Sequence, residues 1–168
     1  RMIPGSKEIP TFIRDLRDRG VRVIALTSRV LGARDSTLKE LALNQIELSP
    51  LEELGLDKSL QGAFPYDLKN LSESGVTEED RELFKLGSPQ EVSIEKGVFF
   101  TQGQHKGIML KILLHRSSQV FKNVVFVDDR SHHVSGVRAV FKTQPQKMFS
   151  YQYVRSKEWI DQFNNSTK

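Results

Sequence analysis

Val124-Val125-Phe126-Val127-Asp128-Asp129-Arg130 is a run of four β-forming residues that ends in two adjacent carboxylates. A short apolar run bounded by polar residues reads as a buried parallel strand. Acids at its C-terminal end stand at the rim of a sheet, where open α/β folds bind ligands. Two such charges repel each other unless a cation joins them, and a hard divalent metal such as Mg²⁺ is a common solution. A neighbouring arginine, Arg130 or Arg29, would balance them without a metal.

The 168 residues suffice for one domain with its own core. No run approaches the roughly 20 apolar residues that cross a bilayer, and the mean hydropathy of −0.41 fits a soluble chain. The absence of cysteine removes disulfides, thiolate nucleophiles and Cys-zinc sites from consideration. Charge is uneven. Residues 1–35 carry eight Lys and Arg against four acids, residues 36–95 five against thirteen, and residues 96–168 twelve against four. An acidic middle thus separates two basic flanks, and a basic rim could attract phosphorylated substrates or nucleic acid. No nucleic-acid-binding motif accompanies those charges.

Outward from Asp128, the pattern alternates helix and strand. Ile9, Phe12, Ile13 and Leu16 recur at helical spacing over Ser6 to Arg19, with Gly20 as a stop. Val21 to Leu26 reads as a strand ending in Thr27-Ser28-Arg29. A helix capped by Asp35 or Ser36 follows, then short helices and loops over 50–95. Val98 to Thr101 reads as a short strand, and Gly103 to Arg116 as a loop into a helix. Ser135 to Phe141 suits a helical turn, Phe149 to Val154 a last strand, and Lys157 to Phe163 a last helical turn with Trp159, Ile160 and Phe163 as its packing stripe. Phe99, Phe100 and Phe126 are expected in the core. Tyr151 and Tyr153 alternate with polar residues, as on an edge strand. The whole predicts an α/β fold with a parallel sheet, whose crossovers bring Thr27 and Asp128 to one rim.

Three motifs then stand in order. The hydroxyls of Thr27-Ser28 and the turn behind them suit a phosphate oxygen. Lys106, at the start of an amphipathic helix, suits neutralisation of a phosphoryl group. Asp128 and Asp129 suit a metal. His132-His133 follow closely, but without further ligands they read as a helix start at the rim.

Val23-Ile24-Ala25-Leu26-Thr27-Ser28-Arg29, Gln104-His105-Lys106-Gly107-Ile108-Met109-Leu110 and Val124 to Asp129 together resemble the second, third and fourth motifs of the haloacid-dehalogenase-like (HAD) hydrolase superfamily. The resemblance spans about residues 5 to 140. It implies a three-layer Rossmann-like parallel sheet, with residues 1–29 and 98–168 as the core and 30–97 in the position of a cap. It implies a Mg²⁺-dependent phosphatase working through an aspartyl-phosphate on a phosphorylated small-molecule or macromolecular substrate. By the same resemblance Thr27 and Ser28 hold the phosphoryl group, Lys106 neutralises it, and Asp128 and Asp129 bind Mg²⁺.

The family's nucleophile is an Asp in an Asp-x-Asp motif after the first strand, and no such motif occurs in this sequence. Asp15 and Asp18 lie on the predicted first helix, among arginines, as surface charges. The family places the first strand between the Thr27 strand and the Asp128 strand. The expectation is therefore that an upstream segment of the same protein supplies it. The alternative is a non-catalytic relative that binds a phosphorylated ligand or a protein partner.

Overall fold

A computed structural model describes residues 8–154. The order of elements is α1 (Glu8–Asp18), β1 (Ala25–Thr27), α2 (Arg34–Leu43), β2 (Gln61–Ala63), α3 (Glu78–Leu83), β3 (Val92–Glu95), β4 (Val98–Phe100), α4 (Lys106–Arg116), β5 (Asn123–Asp128), α5 (Ser131–Val140) and β6 (Lys147–Gln152). The chain is α/β, as its alternation predicts, but the strands divide between two sheets. One is mixed, in the order β1-β4-β3-β2; the other pairs β5 with β6 in parallel. In the first, β1 runs parallel to β4, and β3 runs antiparallel to both β4 and β2.

β2 and β3 lie in the stretch expected to hold only small helices and loops. Val92, Ser93 and Ile94 are all buried, so neither face shows the polar alternation that marks a half-exposed strand. A two-residue loop joins β3 to β4, with Lys96 at φ 46° and Gly97 at φ 77°. Positive φ at both central residues is the condition of a type I′ hairpin turn, so a Gly preceded by a polar residue between two β-runs was the available signal. Residues 30–97 thus supply two strands to the sheet. Leu54, Leu60, Val76 and Ile94 from this stretch join the same core cluster as Phe99 of β4 and Ile108 of α4.

Other boundaries shift. β1 covers only Ala25–Thr27, because Val23 spends its N–H on the Ser49 hydroxyl and its carbonyl on the Ser49 N–H instead of a ladder. α2 starts at Arg34, and neither Asp35 nor Ser36 caps it; Ser36 donates its hydroxyl to the Ala33 carbonyl. α5 begins at Ser131, earlier than Ser135, and β6 spans Lys147–Gln152. Phe99, Phe100 and Phe126 are buried, as expected; Tyr151 lies on β6, whose described neighbour is β5, and Tyr153 lies just past its end. The stretch with Trp159 lies outside the described residues.

Helix α4 is the hub. From Lys106 to Leu113 every residue is buried, as for a helix enclosed by protein on all sides. Its first turn crosses α5 closely: a Cβ on Gly107 would stand 2.8 Å from Val140 Cγ2 and 3.1 Å from the Gly136 carbonyl oxygen. Both lysines of α4 are therefore taken out of water and matched by a carboxylate. Lys111 Nζ donates to Asp80 Oδ2 at 2.6 Å. Asp80 also closes the capping box of α3, accepting from the Thr77 N–H at 2.8 Å. Burial pushes the Asp80 carboxyl up, but the Lys111 and Thr77 hydrogen bonds and the Lys111 charge outweigh it, leaving it below 3.8. The pair ties the acidic stretch to the hub.

Replacing Asp80 by Leu should cost about 3–5 kcal/mol, because Lys111 stays buried without its counter-charge. Changing Lys111 to Met as well should recover much of that loss. Urea unfolding of the two variants checks this; equal losses in both would mean the pair contributes through packing and not through charge.

Candidate active site

The site forms where the C-terminal ends of β1, β4 and β5 meet the start of α4. β4 ends at Phe100, and the next residue, buried Thr101, donates both its N–H (2.9 Å) and its hydroxyl (3.0 Å) to the carbonyl of Thr27. The loop onward to α4 is held by Gln104. Its side chain accepts from the Gln90 N–H at 3.0 Å and donates to the Gln90 and Thr101 carbonyls. His105 caps α4, its Nδ1 accepting the Ile108 N–H at 3.3 Å. That bond requires an unprotonated Nδ1. Burial, with the repulsion of His133, holds the His105 imidazole below 6.5, so the cap persists at neutral pH.

Lys106 comes next and reaches across to β5. Its Nζ donates to Asp128 Oδ2 at 2.6 Å, with the two side chains 9% and 7% exposed. The other carboxylate oxygen, Oδ1, accepts the Arg130 N–H at 2.9 Å and meets His133 Nδ1 at 3.1 Å. Burial pushes the Asp128 carboxyl up, but the Lys106 hydrogen bond, the Arg130 N–H, the Lys106 charge and the His133 bond together leave it below 3.8. Burial lowers His133 below 6.5, opposed by its bond to Asp128 and assisted by the Lys106 charge. A neutral imidazole facing a carboxylate through Nδ1 must carry its proton there, which leaves the Nε2 lone pair free of that bond.

The counter-charge of Asp128 is thus Lys106. Arg130 contributes only its backbone N–H, and Arg29 turns away to Thr37 Oγ1 at 2.8 Å and Glu40 at 3.6 Å. Thr27 is half-buried, and its Oγ1 accepts the Arg29 N–H at 3.2 Å, so its own hydrogen is available to donate. Lys106 and Asp128 are in direct contact; Thr27 joins them through Thr101 and the loop. Asp129 is exposed, and its carbonyl accepts from Gln152. His133 is the functional-site candidate that the sequence pattern undervalued. Its position five residues after Asp128, on the first turn of a helix entered directly from the strand, was the signal.

Oxygen donors suit a hard cation, and Mg²⁺ needs only one or two carboxylates beside water and substrate oxygens. Asp128 and Asp129 therefore fit it in donor type. Among the described residues no group of three or more His, Asp or Glu converges on one point, and the Asp128 charge is already matched by Lys106. A cation at Asp128 must therefore share or displace the ammonium.

An α/β chain with a Lys-Asp-His cluster at its strand ends is the class that fold and site define. The family model described as "Protein of unknown function (DUF2608)" matches residues 2–167, and the chain belongs to that family. No curated protein and no solved structure matches it. Among the described residues no helix is long and apolar enough to cross a membrane.

Both Asp128 and Asp80 have folded values below 3.8, so each adds stability above its unfolded value. That stability is lost as pH falls below about 4 and through the folded values. The urea midpoint should begin to fall below about pH 6.5, where the unfolded chain protonates His105 and His133 more readily than the folded one, and drop further below about pH 4. Asp128→Asn should lower the plateau and make the acid drop shallower. Parallel curves for wild type and variant would dismiss Asp128 as a source of the acid limb.

Proposed function

We propose that this chain carries the phosphate-binding and metal-binding parts of a HAD-like, Mg²⁺-dependent phosphohydrolase. The observation that carries the reading is the buried contact of Lys106, at the start of α4, with Asp128, at the end of a parallel strand. A lysine and an acid 22 residues apart in sequence meet at one point, which supports reading them as parts of one site. The tie of Thr27 to the same loop supports it.

In this reading Thr27 and Ser28 hold the phosphoryl oxygens and Lys106 neutralises the charge that develops on them. Asp128 and Asp129 hold Mg²⁺, which when bound withdraws charge from the phosphoryl oxygens. His133 keeps the Asp128 carboxylate in place through Oδ1. The nucleophilic Asp comes from a strand outside these residues, seated between β1 and β5. Among the described residues β1 has a neighbour only in β4, and β5 only in β6, so each presents a free edge. Val125 and Val127 of β5 are 65% and 56% exposed, which suits a position meant for further cover. Seated there, the strand would complete the three-layer Rossmann-like architecture, and residues 30–97 would shape access to the site.

A second reading, a non-catalytic domain that binds a phosphorylated ligand or a protein partner, is favoured by one feature. No Asp-x-Asp motif occurs in the chain, and that motif is the nucleophile this chemistry requires.

Residues 1–168 alone should release no phosphate from p-nitrophenyl phosphate with Mg²⁺. A longer natural form with an Asp-x-Asp strand should do so. In that form Lys106→Ala should reduce kcat/KM by about 10²-fold or more, the scale of losing one preorganised charge at the transition state. Turnover by residues 1–168 alone would reject the external nucleophile. Unchanged turnover in Lys106→Ala would make that lysine structural only.

A further inference from the structure

We infer that Lys106 is a shared counter-ion that makes divalent-cation binding at Asp128 and phosphate binding at Lys106 depend on each other. The inference rests on the phosphohydrolase reading and adds to it a rule for loading the site.

Lys106 and Asp128 neutralise one another in a nearly dry contact, with side chains 9% and 7% exposed and a 2.6 Å hydrogen bond. Asp128 has no idle oxygen: Oδ2 takes the ammonium, and Oδ1 takes the Arg130 N–H and His133 Nδ1. A cation arriving alone must compete with a buried ammonium for Asp128. If it wins, it strands that ammonium among buried groups, which is costly. A phosphate arriving alone faces the mirror problem. Drawing Lys106 away strips Asp128 of its counter-charge and brings a second anion next to it. When both arrive, each ligand takes the partner that the other displaces, and neither charge is left unmatched.

The direction of coupling follows from that balance, and it must be reciprocal, because linkage between two equilibrium affinities is symmetric. Lys106 has little freedom to escape by swinging into solvent. It sits in the first turn of a helix whose next seven residues are all buried, and the crossing at Gly107 fixes that turn against α5. The exchange therefore happens between Asp128 and a ligand at the rim. Lys111 shows the contrast. Its partner Asp80 is bound into the Thr77 capping box, away from the strand ends, and no ligand is inferred for it.

The test is calorimetric, on the purified chain, with MgCl₂ and inorganic phosphate as probes. Each is titrated alone and then with the other at saturation. Phosphate should tighten Mg²⁺ binding by about 5- to 150-fold, and Mg²⁺ should tighten phosphate binding by the same factor. Direct contact between the two ligands would also couple them, so two variants separate the causes. Lys106→Met should bind Mg²⁺ alone more tightly than wild type and should lose most of the coupling. Asp128→Asn should bind phosphate alone more tightly than wild type, with Lys106 released. Independent binding of both ligands in wild type would overturn this inference and leave the phosphohydrolase reading standing. Coupling that persists in Lys106→Met, or unchanged phosphate affinity in Asp128→Asn, would overturn it as well. No binding of either ligand, alone or together, would sink both.

Discussion

A helix enclosed on every side and carrying two lysines sets the terms for this fold. Helix α4 buries Lys106 and Lys111 with their apolar neighbours, and a buried ammonium needs a carboxylate. The two partners come from opposite directions. Asp80 arrives from α3, 31 residues upstream, and Asp128 from β5, 22 residues downstream. Both contacts are 2.6 Å long. The helix therefore fixes the acidic stretch and the β5–β6 pair relative to the β1–β4 sheet by electrostatic need as well as by packing.

The same contact serves two purposes, and the surroundings decide which. Asp80 also takes the N–H and hydroxyl of Thr77, so its role is accounted for by closing a helix start. Asp128 lies at the end of a parallel strand, one residue before the exposed Asp129, with His133 on its second oxygen. Strand ends facing a helix start are where an α/β sheet leaves polar groups available to a ligand. A charge pair there can be exchanged for ligand charges, whereas one locked in a capping box can only be broken.

What the sequence discloses and what it hides divide along sequence distance. The β5 strand, the loop into α4 and the buried phenylalanines follow from runs and spacings within ten residues. Lys106 was readable as a helix-start lysine, but its bond to Asp128 was not, since no local pattern encodes contact across 22 residues. Proximity favoured Arg130 or Arg29 as the counter-charge. Yet Arg130 opens α5 and offers its N–H, while Arg29 is drawn to Thr37 on α2. β3 was hidden for a different reason: buried on both faces, Val92-Ser93-Ile94 has no alternation to detect, although the Lys96-Gly97 turn behind it marked the hairpin.

β5 itself holds the sharpest mismatch between pattern and packing. An uninterrupted Val-Val-Phe-Val run is the composition of a strand covered on both faces. Phe126 is 7% exposed and faces the core, while Val125 and Val127 stand more than half exposed on the other side. Ile9 and Phe12 are likewise exposed on α1, the helix that leads into β1. Among the described residues, apolar surface on β5 and α1 accompanies edges of β1 and β5 that no strand pairs. Exposed valines beside an unpaired strand edge are a liability that folded proteins cover, charge or shorten, and among the described residues Val125 and Val127 are left uncovered. On the proposed reading, one parallel strand seated between β1 and β5 would pair both edges and cover the valines. It would also set its own C-terminal end next to Thr27, Lys106 and Asp128. On the proposed phosphohydrolase reading, the strand that brings the nucleophile would thus also meet the demand for cover, though one demand comes from chemistry and the other from hydrophobic burial.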